Sequence, residues 1–322
     1  MAVYTPVTDA DLTAFLAGYG LPPAARFEGI AGGIENTNYR VWAGGRRLIL
    51  TLYEGRTALG DLPYFLGLMA HVARAGASAA APLTDLGGQT LGSLSGRPAA
   101  LVTHLDGADI AEPGPDAAWA AGRALGALHL AARDFAQVRP NGFGPDEWAR
   151  AAGALGADLD RLGPGVADEA RGRAAALRAR WPDLPRGTIH ADLFPDNVLF
   201  ADGDDRPRVS GIIDLYFACT DALAYDLAIA MAAWTPEGTG RPDPANAHAM
   251  RAGYEAVRPL RPAEVDALPR LMEGAAWRFF LTRAEDWLAP RDAIAGRAKD
   301  PLPFLTLARH MAADPRHLTE PA

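Results

Sequence analysis

The residues best suited to chemistry lie in one stretch, His190-Ala191-Asp192-Leu193-Phe194-Pro195-Asp196-Asn197. It is followed by the apolar Val198-Leu199-Phe200, an acidic turn Asp202-Gly203-Asp204-Asp205, and a second apolar run that ends Gly211-Ile212-Ile213-Asp214. Asp192 offers a carboxylate that can accept the proton of an attacking hydroxyl. Asn197 and Asp214 add an amide oxygen and a second carboxylate, hard donors of the kind that hold Mg²⁺ against polyphosphate oxygens. Asn197 closes a loop tightened by Pro195, and Asp214 returns on the far strand of a hairpin, so the spacing predicts three oxygen donors converging from one loop and hairpin. That arrangement suits phosphoryl transfer to an alcohol. His190 reads as an imidazole that fixes the loop by hydrogen bonds. A hydrolytic metal centre on His190 and Asp192 would need further histidines, which the neighbouring sequence lacks. The plain alternative is a polar loop with incidental acids.

Three kinds of element must position these groups. Residues 25–54 alternate as a meander of three antiparallel strands, with Gly44-Gly45 at one turn. Phe65, Leu66, Met69, Val72 and Ala73 then recur at helical spacing before Gly76, and two further strands are expected at 80–85 and 98–104. Beyond the loop at 106–115 the chain turns helical: 117–133 with Trp119, Leu125, Leu128 and Ala132 on one face, then 145–162, 166–181, 222–234, 245–257 and 263–287. The expected fold is α+β, with an N-terminal lobe of antiparallel sheet plus one helix at 1–103. A larger, mostly helical lobe at 104–322 carries the loop and hairpin. Trp234, Trp277 and Trp287 are expected in the core, and His129 as a satisfied helix residue.

Composition narrows the function classes. A formal net charge of −8, with no stripe of Lys or Arg, argues against a nucleic-acid partner. No apolar run approaches the ~18 residues of a membrane span, and the opening Met1-Ala2-Val3-Tyr4-Thr5-Pro6 lacks the pattern of a signal peptide, so a cytoplasmic protein is expected. The single cysteine, Cys219, excludes an intrachain disulfide and reads as a small buried side chain. Arginine is abundant, yet Lys299 is the only lysine. Between the first two strands, Gly32-Gly33-Ile34-Glu35-Asn36-Thr37-Asn38-Tyr39 offers glycine backbone and short polar side chains of the sort that approach phosphates.

The pattern His-x-Asp-x-x-x-x-Asn with a later Asp is that of kinase catalytic loops. With Gly33-Ile34-Glu35-Asn36-Thr37-Asn38-Tyr39, Leu50-Thr51-Leu52-Tyr53-Glu54, Asp61-Leu62-Pro63-Tyr64-Phe65-Leu66-Gly67-Leu68-Met69, Gly96-Arg97-Pro98-Ala99-Ala100-Leu101-Val102 and Tyr225-Asp226-Leu227-Ala228-Ile229-Ala230, the chain resembles the aminoglycoside-phosphotransferase superfamily and, within it, the kinase-like homoserine kinases. The resemblance implies a bilobal protein-kinase-like fold that uses ATP and Mg²⁺, with homoserine as the alcohol in a step of threonine biosynthesis. It implies Asp192 as catalytic base, Asn197 and Asp214 as Mg²⁺ ligands, and nucleotide contacts from Gly33, Asn36, Thr37, Asn38 and Thr51. Adenine would lie against the connecting strand at Thr103 and Leu105. Other small alcohols, namely choline, methylthioribose, hydroxylysine or an aminoglycoside, remain alternatives, as does a nucleotide-binding module without turnover.

One departure stands out. The third strand of a kinase usually offers a lysine to the phosphates, paired with a helix glutamate. Here the place is held by Thr51, and the following helix contains no Glu. Thr51, Arg56 and Asn36-Thr37-Asn38 are the candidate replacements. For the amino-acid substrate, Arg278 or Arg283 can meet a carboxylate or belong to a solvated helix face. Asp196 can meet an ammonium or stabilise its turn, and Tyr216 can line the cleft or simply pack.

Overall fold

The computed structural model describes residues 4–30, 36–55, 58–201, 206–235, 243–289, 298–315 and 317. The chain divides into two compact units, Met1–Gly107 with Ser210–Tyr216, and Ala108–Val209 with Phe217–Ala322. The boundary expected at residue 103 thus moves to 107, and a short later segment returns to the first unit.

In the first unit, helix α1 (Asp9–Gly18) begins where the Thr8 hydroxyl accepts the Asp11 amide at 3.1 Å, an N-cap that satisfies one orphan donor. Strands β1 (Arg26–Gly29), β2 (Asn36–Ala43) and β3 (Arg46–Tyr53) form the expected antiparallel meander. The β2–β3 turn needs positive φ at both central residues, and Gly44 and Gly45 supply it at 57° and 72°. Helix α2 (Leu62–Arg74) buries Phe65, Leu66, Met69 and Val72. Strands β4 (Gly92–Leu94) and β5 (Arg97–Thr103) complete a five-stranded sheet in the order β1-β2-β3-β5-β4. Leu12 and Leu16 of α1 close its core with Val41, Leu48, Leu50 and Leu101.

Two expectations are corrected here. The strand expected at 80–85 reduces to a single bridge, Pro82 to Val102, because Pro82 has no N–H to extend a ladder. The sheet edge is instead β4, held in register by the tight Ser95-Gly96 turn with φ of 49° and 75°. Helix α1 has no counterpart in the sequence reading.

The second unit contains α3 (Pro115–Ala132), α4 (Pro145–Leu155), α5 (Val166–Ala179) and β6 (Arg186–Ile189). Strand β7 (Val198–Phe200) follows the site loop, the acidic turn 202–205 lies outside the described residues, and β8 (Val209–Ile212) runs across the unit boundary. Strand β9 (Cys219–Ala222) pairs antiparallel with β6, and α6 (Leu223–Ala233), α7 (Pro244–Glu255), α8 (Pro262–Leu288) and α9 (Leu302–Ala313) complete the unit. Strands β6 and β9 and helix α9 were not foreseen. The helix expected at 145–162 stops at Gly156, whose φ of 50° is left-handed, and continues as a 3-10 turn.

Helices α3 and α7 touch backbone to backbone. A Cβ at Gly122 would lie 2.0 Å from the Met250 carbonyl oxygen, and one at Gly253 would lie 2.0 Å from that of Trp119. That docking buries small residues, so Trp119 is left outside at 40% exposure, against its expected place on the buried face. Trp287 is likewise 46% exposed, while Trp234 and Trp277 are core residues as expected. Among the described residues no helix is long and apolar enough to cross a membrane.

Candidate active site

In the second unit, β6 delivers the chain directly to His190, and its partner β9 leads into α6. The Ile189–Cys219 pairing therefore sets the start of the His190–Asn197 loop beside the first turns of that helix. Asp226 of α6 is fully buried and is the one charge in an otherwise apolar helix. Such a carboxylate must be compensated. Oδ2 accepts the His190 amide at 2.7 Å and Oδ1 accepts the Ala191 amide at 2.7 Å, while the His129 Nε2 lies 2.8 Å from Oδ2. Burial pushes the Asp226 carboxyl upward, but the His129 hydrogen bond and charge, with the His190 contributions, outweigh it and hold the group below the ordinary carboxylate range.

The rest of the loop is as fully tied. His190 accepts the Asp192 amide on Nδ1 at 3.2 Å, which is the structural role expected of it. Arg278, only 2% exposed, donates to the Ala191 carbonyl and stacks its guanidinium 4.7 Å from the Phe279 ring centre. The Asp192 carbonyl accepts the Phe194 amide at 2.9 Å and the Asn197 side-chain amide at 2.8 Å, and the Leu193 carbonyl accepts the Trp234 indole at 3.0 Å. Most of the loop backbone is thereby held.

This bracing holds strain. Among the described residues the non-glycine positions with positive φ are Ser95, at a hairpin turn, and Ala191 at 65° and Asp214 at 61°. Two of the three thus fall beside or upon expected site residues. An alanine in this region costs about 1–2 kcal/mol, and strain of this kind collects where function over-determines the backbone. Asp226 and Arg278 pin the two ends of Ala191 and offset that cost.

Asp192 is half-buried, and among the described residues its carboxylate is acted on by charges alone, without a hydrogen bond. Desolvation raises its pKa, Arg278 and His190 oppose the rise, Asp196 adds to it, and Lys299 opposes it. Asn197 is buried with its NH₂ spent on the Asp192 carbonyl, which leaves the amide oxygen for a cation. Asp214, exposed, lies two residues beyond β8 and belongs to the first unit. The amide oxygen and the carboxylate, each taken by itself, are hard oxygen donors of the kind Mg²⁺ accepts.

Other expected site residues are placed differently. Gly33 and Arg56 lie outside the described residues. Thr37 is completely buried: its hydroxyl donates to Glu54 at 2.6 Å and accepts the Tyr4 amide at 2.9 Å, so it ties down the N-terminal segment. Thr51 donates to the Asn38 Oδ1 at 2.7 Å, and the Asn36 Oδ1 accepts the Glu54 amide at 3.4 Å. These hydroxyls and amides serve the β2–β3 ladder. Thr103 anchors Ala81 through its hydroxyl at 2.9 Å, and Leu105 packs on Gly211. Tyr216 is a packing aromatic, its ring 5.5 Å from Tyr53 and 5.7 Å from Phe65, and its hydroxyl, bonded to Tyr53, is pushed up by burial to about 12.

On the second unit's side, Arg278 supports the loop from inside instead of reaching out to a substrate. Arg283 lies 4.6 Å over the Phe304 ring and donates to the Asp300 carbonyl at 3.2 Å. Asp196 pairs with Lys299 at 3.7 Å. His129 is satisfied as expected, with Tyr254 2.8 Å from its Nδ1. The sequence reading did not assign Asp226 a role. Its signal was a lone acid inside the apolar run Leu223-Ala224-Tyr225-Asp226-Leu227-Ala228-Ile229.

Comparison with known proteins bears on the family. Several curated relatives are named homoserine kinase. That of Xanthobacter autotrophicus is 47% identical over 98% of this chain and 97% of its own length, and that of Methylobacterium radiotolerans is 48% identical over 94% of each. Among solved structures, a microcompartment-associated aminopropanol kinase superposes with a TM-score of 0.68 at 18% identity, covering 96% of this chain and 98% of its own. The model of the phosphotransferase enzyme family (APH) matches residues 26–260. That match spans both the sheet of the first unit and the braced loop of the second, and the chain therefore belongs to the phosphotransferase enzyme family.

Proposed function

We propose that this chain is a homoserine kinase that transfers the terminal phosphoryl group of ATP to the side-chain hydroxyl of L-homoserine, a cytoplasmic step toward threonine. The observation that carries the reading is near-half identity along almost the whole of both chains with relatives named for that activity.

In this reading Asp192 accepts the hydroxyl proton as the oxygen attacks. Burial raises its carboxyl above that of a free aspartate, against the restraint of Arg278 and His190, so it is the more basic for it. The braced loop keeps that carboxylate in place without reorganisation during the reaction, which is the contribution of positioning to the rate. Asn197 and Asp214 are the Mg²⁺ ligands of this reading. Mg²⁺, when bound, neutralises charge on the polyphosphate. Nucleotide contacts are assigned to Gly33, Thr103 and Leu105. Thr51 cannot supply the positive charge of the missing lysine, and its hydroxyl is already engaged.

Coupled ADP release tests the reading with homoserine, choline, methylthioribose, hydroxylysine and kanamycin as acceptors. Homoserine is expected to give the highest kcat/KM, and Asp192→Ala to remove at least about 10²-fold of kcat. Preference for any other acceptor refutes the substrate, and undiminished turnover by Asp192→Ala refutes the base.

A further inference from the structure

The only lysine of the chain stands beside the catalytic loop. Lys299 lies 3.7 Å from the Asp196 carboxylate, and its Nζ is 5.5 Å from the centre of the Phe194 ring. Two contacts hold the short segment that carries it: Arg283 donates to the Asp300 carbonyl at 3.2 Å, and the Asp300 carboxylate accepts the Leu302 amide at 2.9 Å. Arg283 also stacks 5.7 Å over Phe194, so one aromatic ring, T-stacked on Phe279 at 4.9 Å, faces both cations. Lys299 and Asp196 are also the two exposed charges that act on Asp192, with opposite sign.

The pair is therefore an ion pair in the wrong place for stability and the right place for recognition. Its members are 45% and 60% exposed, and exposed pairs contribute little to folding. A small zwitterion carries an ammonium and a carboxylate on one carbon, the complement of a lysine and an aspartate held side by side. We propose that Lys299 and Asp196 are the receptor for the amino-acid head group, Lys299 taking the α-carboxylate and Asp196 the α-ammonium, so that the substrate exchanges with the ion pair. No bond is made or broken in this exchange; it fixes the head group while the hydroxyl end meets Asp192. The assignment rests on the homoserine reading and adds which residues read the amino acid. It gives the lone lysine a role as a compact, hydrated point charge, which suits a carboxylate that must be released after each turnover.

The test crosses two variants with two truncated acceptors. 3-Aminopropan-1-ol is homoserine without its carboxylate, and 4-hydroxybutanoate is homoserine without its ammonium. KM is measured for each, or Ki against homoserine where an analogue is not turned over. In Lys299→Met, the ratio of the homoserine constant to that of 3-aminopropan-1-ol is expected to rise at least about tenfold. In Asp196→Asn, the ratio of the homoserine constant to that of 4-hydroxybutanoate is expected to rise by a similar factor. An unchanged ratio in Lys299→Met overturns the assignment, as does a rise in KM for ATP that is equal for every acceptor, which would make Lys299 a phosphate contact.

A second measurement does not depend on turnover. N-hydroxysuccinimidyl acetate can acylate Lys299 and the chain's α-amino group, and mass spectrometry separates the two. With the α-amino group as reference for reagent consumed by the acceptors' own amines, acylation at Lys299 relative to it is expected to fall with saturating homoserine and not with 3-aminopropan-1-ol, and an equal ratio in both overturns the proposal. Wild-type protein that phosphorylates another alcohol but not homoserine refutes the substrate reading itself. Wild-type activity on homoserine with an unmoved ratio refutes the Lys299 assignment alone.

Discussion

Replacing Asp226 by Asn changes one atom and tests the bracing of the loop. Oδ2 serves the His190 amide and faces His129, and Oδ1 serves the Ala191 amide. An asparagine has one oxygen. In its better orientation that oxygen keeps the His190 and His129 contacts and turns an NH₂ toward the Ala191 N–H, donor against donor. A lost charge-assisted bond is worth about 1.5–3 kcal/mol, a buried N–H left unsatisfied adds about 1–3, and the surviving bonds weaken. Removing a buried charge recovers part of this, and the net destabilisation expected is about 3–5 kcal/mol. With m near 3 kcal/mol/M, the urea midpoint falls by at least about 1 M.

Tryptophan fluorescence is a suitable probe, since Trp181 and Trp148 pack 5.1 and 6.2 Å from Tyr225, the neighbour of Asp226. Ala191, no longer held at its N–H, relaxes from its left-handed conformation and carries Asp192 with it, so kcat is expected to fall about 10²-fold. The pH dependence has a definite sign. The folded Asp226 carboxyl lies below its unfolded value, so its stabilisation is complete above about 3.9 and is lost as pH falls through the folded value. The gap in midpoint between wild type and Asp226→Asn should therefore close in acid. A midpoint within about 0.2 M of wild type at pH 7, where 1 M is expected from the bond count, would refute the bracing argument.

Gly253→Ala places a methyl group 2.0 Å from the Trp119 carbonyl, and backbone cannot yield as a flexible side chain would. The expected loss is about 3 kcal/mol or more, read as a fall in the thermal midpoint. A midpoint equal to wild type would contradict the α3–α7 contact. The acid limb of kcat/KM reports Asp192, whose raised carboxyl places it above the ~3.9 of a free aspartate. Asp196→Asn removes a neighbouring negative charge and should move that limb to lower pH, whereas a shift upward would contradict the assignment.

The first three strands were legible because each is a short run rich in apolar and β-branched or aromatic residues with glycine nearby, and the Gly44-Gly45 turn admits few registers. The 80–85 segment misled because its apolar residues look strand-like until Pro82 is weighed as a missing donor. Strands β6 and β9 are four residues each and exist through pairing across the chain, which no local pattern announces. The same division holds for the site. The spacing of Asp192, Asn197 and Asp214 is visible in sequence, since the chemistry demands those side chains in that order. Asp226 and Arg278 are not, because a buried acid and a buried arginine acquire meaning only from the backbone they hold. Thr37 and Thr51 show the converse: suitable residue types on a suitable strand whose hydroxyls are consumed by the fold.

The first unit is not one continuous piece of chain, since Ser210–Tyr216 belongs with Met1–Gly107. The Ile212 amide bonds the Ser78 carbonyl at 2.7 Å, and Tyr216 closes the aromatic cluster of Tyr53 and Phe65. On the ribosome this unit must wait for its last segment, Ser210–Tyr216. From residue 107 to 216 is 109 residues, about 5–20 s of synthesis, during which the unit lacks both the amide that meets the Ser78 carbonyl and the hydroxyl that meets Tyr53. A gene fragment that stops at the apparent end of the first lobe would thus encode an unfinished core.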